Sequence, residues 1–156
     1  MIEFQLLVFD YGIKRTGVAV GQSITGQASP LEPLAMQNGQ PDWAQVELLL
    51  SRWKPDAVLV GLPLNMDGSV SDMARRANKF RQRLHGRFVL PALGWDERLT
   101  SEEMKREARA QGVHDFGRHS VDSLAAGLIF ESWYESLPSL EEWQAHTLVL
   151  GDLSQS

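Results

Sequence analysis

Gln5-Leu6-Leu7-Val8-Phe9-Asp10-Tyr11-Gly12-Ile13-Lys14-Arg15-Thr16-Gly17-Val18-Ala19-Val20-Gly21 reads as two strands about a turn. Residues 3–10 run apolar into an acid, Tyr11 to Arg15 supply the turn, and Thr16 to Gly21 returns, which predicts a hairpin. Leu31 to Met36 fits a third strand after a loop bearing Gly, Ser and Pro. Asp42 to Trp53 carries Trp43, Val46, Leu50 and Trp53 at helical spacing, opened by Pro41 and closed by Lys54-Pro55. Ala57 to Gly61 is a continuous apolar run, as expected of a strand buried on both faces. It delivers a turn-rich loop, Gly61-Leu62-Pro63-Leu64-Asn65-Met66-Asp67-Gly68. A helix follows over Met73 to Arg87, and then a strand over Phe88 to Trp95 that Pro91 confines to an edge or an irregular pairing. Thr100 and Glu103 form a capping box for a helix over Ser101 to Gln111. Ser120 caps a last helix, with Val121, Leu124, Ala125, Leu128 and Ile129 as its apolar face. A meander followed by strand and helix alternation implies an α/β domain with a mixed sheet. Residues 136–156 read as a tail, apart from a helical turn around Leu140 to Ala145.

The chain has 156 residues, 43% of them hydrophobic, with no cysteine and a net charge of −5. At this length one core can bury most of its apolar surface, whereas two would each be marginal. The absence of cysteine removes disulfides, thiolate zinc sites and cysteine nucleophiles together. The opening apolar run is too brief for a signal peptide, and no run approaches the ~18 residues of a membrane span. A soluble, cytoplasmic protein is expected.

An acidic balance argues against a nucleic-acid partner, because neutralising phosphates takes Lys and Arg. The distribution reverses that inference. Residues 120–156 hold six acids and no Lys or Arg, while residues 1–119 are one charge positive. Met73 to Arg87 contains six cations and no acid. At ~100° per residue, Met73, Ala77, Phe80 and Leu84 form a core stripe, and Arg76, Lys79, Arg83 and Arg87 a basic one.

Three sets of carboxylates fall at element ends: Asp10 ends the first strand, Asp96-Glu97 the last, and Asp122 lies in the first turn of the final helix. Ligands of open sheets collect at the carboxyl ends of strands, so these acids can converge. Each acid also has a plainer reading, as turn former, surface ion pair or helix-terminus charge. Converging carboxylates call for a hard cation, Mg²⁺ or Mn²⁺, held by oxygen ligands. Two such ions roughly 3.5–4 Å apart would serve phosphodiester hydrolysis.

Four motifs in order make the chain resemble the YqgF/RuvX family of Holliday-junction-resolvase-like proteins. They are Asp10 to Ala19, Gly61 to Gly68, Asp96-Glu97-Arg98-Leu99-Thr100-Ser101, and Val121-Asp122-Ser123-Leu124-Ala125-Ala126. The resemblance covers roughly residues 4–135. It implies an RNase H-like fold, a five-stranded mixed sheet with its first three strands antiparallel, in a nuclease domain spanning residues 1–135 before an acidic C-terminal tail of residues 136–156. It also implies a metal-dependent nuclease that matures the 5′ end of precursor 16S rRNA in ribosome biogenesis. Asp10, Glu97 and Asp122 become the metal-binding catalytic acids, with Asp96 as the fallback. Lys14, Arg15, Asn65 and Arg98 become substrate contacts, and Arg76, Lys79 and Arg83 a track for the backbone. Many family members carry a lysine before the Val-Asp-Ser block; Arg118-His119-Ser120 stands here, so a phosphate contact fits Arg118 better than lysine chemistry. His119 reads as a surface residue rather than a general base.

Three other readings compete. Resolution of Holliday junctions shares the chemistry and requires a dimer; monomer and homodimer both remain open. A non-catalytic RNA-binding factor would use the basic helix alone. An actin-like or sugar-kinase-like ATP-binding domain, suggested by Asp-x-Gly, fails on length because that architecture duplicates the fold.

Overall fold

The computed structural model describes residues 3–99, 106, 110 and 121–137, and for Leu99, Val121 and Asp122 the backbone alone. Strands β1 (Gln5–Asp10), β2 (Arg15–Gln22), β3 (Gln27–Gln37) and β4 (Gln40–Pro41) precede helix α1 (Trp43–Trp53). Then come β5 (Ala57–Leu62), α2 (Asp72–Phe88), β6 (Ala92–Asp96), a 3₁₀ turn over Glu97–Leu99 and α3 (Val121–Glu135). The strands form one sheet in the order β4-β3-β2-β1-β5-β6. β1, β2 and β3 pair antiparallel, while β5 runs parallel to both β1 and β6.

The mixed sheet with three antiparallel strands first is therefore present, with six strands in place of five. The addition is β4, which pairs with Met36 and Gln37. Its turn is Asn38-Gly39, both at positive φ (53° and 78°), the backbone a two-residue hairpin loop demands. β3 also begins earlier than Leu31, at Gln27, taking in the second part of the expected loop. Its outer edge carries only the short β4, and Pro30 and Pro33 are tolerated at such an edge.

Both central helices start on side-chain caps. Asp42 Oδ1 accepts from the Ala44 N–H at 3.0 Å, and Ser71 Oγ from the Ala74 N–H at 2.9 Å. α2 absorbs Phe88, so β6 starts only after Pro91, and it lies at the sheet edge. Of the helix expected over Ser101 to Gln111, Arg106 and Ala110 are described and are helical. Arg118, His119, Ser120 and the turn around Leu140 to Ala145 lie outside the described residues.

Side-chain alternation divides the sheet into two faces. Leu7, Phe9, Val58, Val60 and Leu62 pack with Val46 and Leu50 of α1 and Phe80 and Leu84 of α2. Leu6, Val8, Ala57, Leu59, Leu93 and Trp95 pack with Ala126, Ile129, Phe130 and Trp133 of α3. The buried side of α3 differs from the expected face. Ser123, Ala126, Gly127, Phe130 and Trp133 join Ile129 inside, while Leu124, Ala125 and Leu128 are half-buried. Small residues win those positions because the helix crosses the sheet at close range. A Cβ on Gly127 would stand 3.6 Å from the Ala28 methyl, and one on Gly21 would enter the Phe130 ring. Ser123 Oγ also accepts from the Val18 N–H at 3.2 Å, beside the irregularity between Thr16 and Val18 where β2 shifts register against β3.

Phe130 is fully buried on this face. Phe130→Ala should cost ~3–5 kcal/mol, read as a lower urea midpoint at unchanged denaturant slope. A loss below 1 kcal/mol would contradict the packing described.

Candidate active site

Parallel pairing carries the ends of β1, β5 and β6 to one edge. Phe9 is level with Val60, Gly61 with Trp95, and Leu62 with Asp96. Asp10, the half-buried last residue of β1, follows Leu6 and Val8 in the alternation and so belongs to the α3 face. On β5, Gly61 follows Ala57 and Leu59 onto that same face.

Glu97 leaves β6 in the 3₁₀ turn and folds back over this edge. A Cβ built on Gly61 would collide with the Glu97 carboxylate and stand 2.6 Å from Ile129 Cδ1. Adjacent strands lie ~4.8 Å apart, so the Glu97 carboxylate rests one strand from Asp10, on Asp10's own face. The missing side chain of Gly61 makes the space. Asp122 enters through the backbone of the first turn of α3. Its neighbour Ser123 is fastened to Val18, next to Gly17, which pairs with Asp10. The Asp122 side chain lies outside the described residues. Among them no group of three acids or histidines is poised to hold a metal, and the potential third member, Asp122, is not in that set.

Asp96 takes the opposite part. By alternation it falls with Ala92 and Gly94 on the α1/α2 face. It accepts from Arg98 Nε at 3.0 and 3.1 Å, from Nη2 at 2.7 Å and from the Arg98 N–H at 3.0 Å. These bonds hold its carboxyl below the ordinary aspartate range, outweighing partial burial. Arg98 Nη1 reaches on to the Met66 carbonyl at 3.2 Å, tying the β6 turn to the loop after β5. That loop is closed internally. Asn65 Nδ2 donates to Ser69 Oγ at 2.9 Å, and Asp67 Oδ1 accepts from the Ser69 N–H and hydroxyl at 2.9 and 2.6 Å. Asn65 and Arg98 thus form a braced lip beside the acids, its residues spent largely on one another.

Lys14 and Arg15 are exposed at the turn into β2. Arg76, Lys79 and Arg83 are exposed on α2, on the other face of the sheet. Arg87, expected in the same stripe, instead lies over the Trp43 ring at 4.3 Å. Arg81 leaves the basic set altogether: it is 2% exposed and donates to Asn78 Oδ1 and the Ala92 carbonyl at 2.8 Å each. Burial lowers its pKa from the ordinary guanidinium value. Two residues that shape this arrangement carry no local signal for that part. Gly61 reads as a turn residue in sequence, and Ser123 as part of a motif, yet one clears the site and the other anchors the helix that brings Asp122.

The two described carboxylates, with no thiol or imidazole in the set, are hard donors of the kind Mg²⁺ and Mn²⁺ prefer. The donor set therefore fits such an ion.

Comparison with known proteins bears on the family and the fold. The family model RuvX, described as Holliday junction resolvase, matches residues 5–136. A protein of Azotobacter vinelandii named "Putative pre-16S rRNA nuclease" is 56% identical over 135 residues, covering 86% of this chain and 95% of that protein. A Pseudomonas putida protein of the same name is 56% identical over 133 residues, covering 84% and 94%. Among solved structures, Thermus thermophilus RuvC in complex with a Holliday junction substrate aligns with a TM-score of 0.59 at 16% identity, over 85% of this chain and 94% of that one. The fold is the RNase H-like one of that resolvase.

Asp96 stabilises the fold only while ionised. Because its pKa is depressed in the folded state, its contribution is complete above the ordinary value of ~3.9 and is lost as pH falls through the lower folded value. Urea midpoints of wild type and Asp96→Asn should differ by a constant amount above pH ~5 and converge as pH drops below ~4. Parallel curves down to acid would refute the pair.

Proposed function

The chain belongs to the RuvX family, and on that premise we propose that it is a divalent-metal-dependent nuclease whose substrate is precursor 16S rRNA, trimmed at its 5′ end during ribosome assembly. That it is a nuclease, a hydrolase of phosphodiester bonds, follows from its family and from the names of its relatives. The observation that carries the metal-dependent reading is the Glu97 carboxylate lying over Gly61, one strand from Asp10.

Asp10, Glu97 and Asp122 would hold the ion, Mg²⁺ or Mn²⁺. Once bound, it would supply Lewis acidity and an activated water. The residues of the chain do the rest. Asp10 closes β1 and Glu97 opens the 3₁₀ turn directly after β6, two strands fixed by ladders and by core packing, so their oxygens stay in register without ordering at the moment of reaction. Lys14 and Arg15 offer exposed positive charge beside Asp10, where a phosphodiester would approach. Arg98 is bound to Asp96 and Met66; we assign it the lip's geometry first and a phosphate contact second. Arg76, Lys79 and Arg83 supply charge further along the substrate. Residues 1–135 form the nuclease domain in this reading, and 136–156 an acidic tail.

The partner is nucleic acid. No helix among the described residues is long and apolar enough to cross a membrane, and a cytoplasmic location is proposed from the rRNA substrate. Resolution of Holliday junctions is the second reading, favoured by the family's description. A dimer that cuts symmetric junctions and spares precursor rRNA would select it.

With Mn²⁺ or Mg²⁺, purified protein should cut a precursor 16S rRNA fragment, and Asp10→Asn and Glu97→Gln should each abolish cutting, while Asp96→Asn should retain it. Cleavage surviving in Asp10→Asn would sink the mechanism, and cleavage unaffected by metal chelation would remove the ion. Gly61→Ala tests the geometry separately. The added methyl must push the Glu97 carboxylate aside; since ~1 Å of misplacement costs about 100-fold in rate, kcat should fall about that far with little change in thermal midpoint. A fully active Gly61→Ala enzyme would exclude Glu97 from the reacting centre.

A further inference from the structure

Behind the acid edge, on the opposite face of the sheet, lies a cavity of about 310 Å³ between α2 and the β3–β4 turn. Its walls include Tyr11, Gly39, Gln40, Arg76, Lys79 and Arg83. Tyr11 directly follows Asp10, but alternation sends it to the other face, where its ring packs on Phe80 at 5.5 Å. Its hydroxyl donates to the Gly39 carbonyl at 2.8 Å, fixing the turn against the end of β1. Gly39 is required twice over. Its φ is 78°, and a Cβ there would stand 2.7 Å from the Tyr11 hydroxyl. Gln40 Oε1 accepts from Arg83 Nη1, so turn and helix are braced together.

The lining carries four cations, Arg75 being the fourth, against the single carboxylate of Asp72. Asp72 is committed to Arg76 at 3.1 Å and Arg75 at 3.7 Å. Lys79 and Arg83 have no ion pair among the described residues. A concave, polar, net-positive surface with a braced floor is suited to a phosphate, because its donors are arranged before the anion arrives.

We infer that this cavity is a phosphate-binding subsite for an unpaired stretch of nucleic acid flanking the scissile bond. Its position carries the argument. The acids face the α3 side and the cavity faces the α1/α2 side, with the end of β1 between them among the described residues. A stiff duplex seated on the acids cannot turn around the end of a sheet. A single strand can, passing Tyr11 and the exposed Lys14 on its way. The inference deepens the nuclease reading and rests on it for the chemistry at the acids: the substrate class becomes a duplex or fold with a single-stranded flank.

The test is binding of hairpin RNAs of equal stem, one blunt and others with a single-stranded flank on either side, by fluorescence anisotropy in EDTA so that no cleavage intrudes. Wild type should prefer at least one flanked form by tenfold or more. Lys79→Gln/Arg83→Gln should erase that preference, weakening flanked-hairpin binding at least tenfold more than blunt-hairpin binding. It should also flatten the salt dependence of flanked binding by about 1.4 in log–log slope, the value for two phosphate contacts on a single strand. Arg52→Glu, on α1 and outside the cavity, should change neither affinity, and thermal midpoints verify folding throughout. Equal loss for blunt and flanked RNA, or a double variant that keeps the preference, would overturn the subsite. Cleavage is scored separately with Mn²⁺. A protein that binds flanks through the cavity yet cuts nothing supports the subsite and overturns the nuclease reading.

Discussion

Parallel pairing of β5 with β1 and of β6 with β5 is the constraint on which everything else depends. A parallel ladder brings like ends together, so Asp10, Gly61 and the Asp96-Glu97 pair reach one edge although tens of residues separate them. The period of two then sorts them. Asp10 and Gly61 share the parity of the residues under α3, whereas Tyr11 and Asp96 share that of the residues under α1 and α2. One edge thereby acquires two chemistries, carboxylates on one face and a basic cavity on the other.

The site is kept open by what is missing. Gly61 contributes no side chain, and the Glu97 carboxylate and Ile129 fill the room it leaves. The same economy holds under α3, where Ser123, Ala126 and Gly127 admit the helix closely enough for a serine hydroxyl to serve a strand N–H. Bulk arrives only further along, at Phe130 and Trp133, where the aromatic rings meet Gly21 and Phe4. Close approach at one end and large side chains at the other fix where the first turn of the helix falls on the sheet, and with it the backbone of Asp122.

The charge of −5 is likewise a sum of unlike parts. Met73 to Arg87 carries six cations, four of them expected along one basic stripe, but α2 uses the six in three ways. Arg81 is internal, a buried guanidinium holding the Ala92 carbonyl. Arg87 covers Trp43. The others look toward the β3–β4 turn, where Arg75 and Arg76 are partly neutralised by Asp72. A count of charges in a segment cannot separate these roles, because burial, stacking and pairing depend on what lies opposite.

The hairpin, the buried strand at Ala57, both central helices, and the acids at element ends were all legible in the chain, since each is written in local periodicity and turn chemistry. Motifs also named Asp10 and Glu97 as candidates, and both fall at one edge of the sheet. Local patterning went astray where neighbours distant in sequence decided the outcome. β3 and β4 extend because β2 and a hairpin turn offer partners, and α3 buries small residues in place of Leu124 and Leu128 because a sheet lies close against it. Asp96 and Glu97 are adjacent, chemically alike acids. Their separation, one toward Arg98 and the other over Gly61 toward Asp10, required the strand direction, the strand order and the contacts across the edge. The sequence by itself determined which groups could bear the chemistry. Tertiary structure decided which of them meet, because meeting is set by register and packing between segments that no local pattern connects.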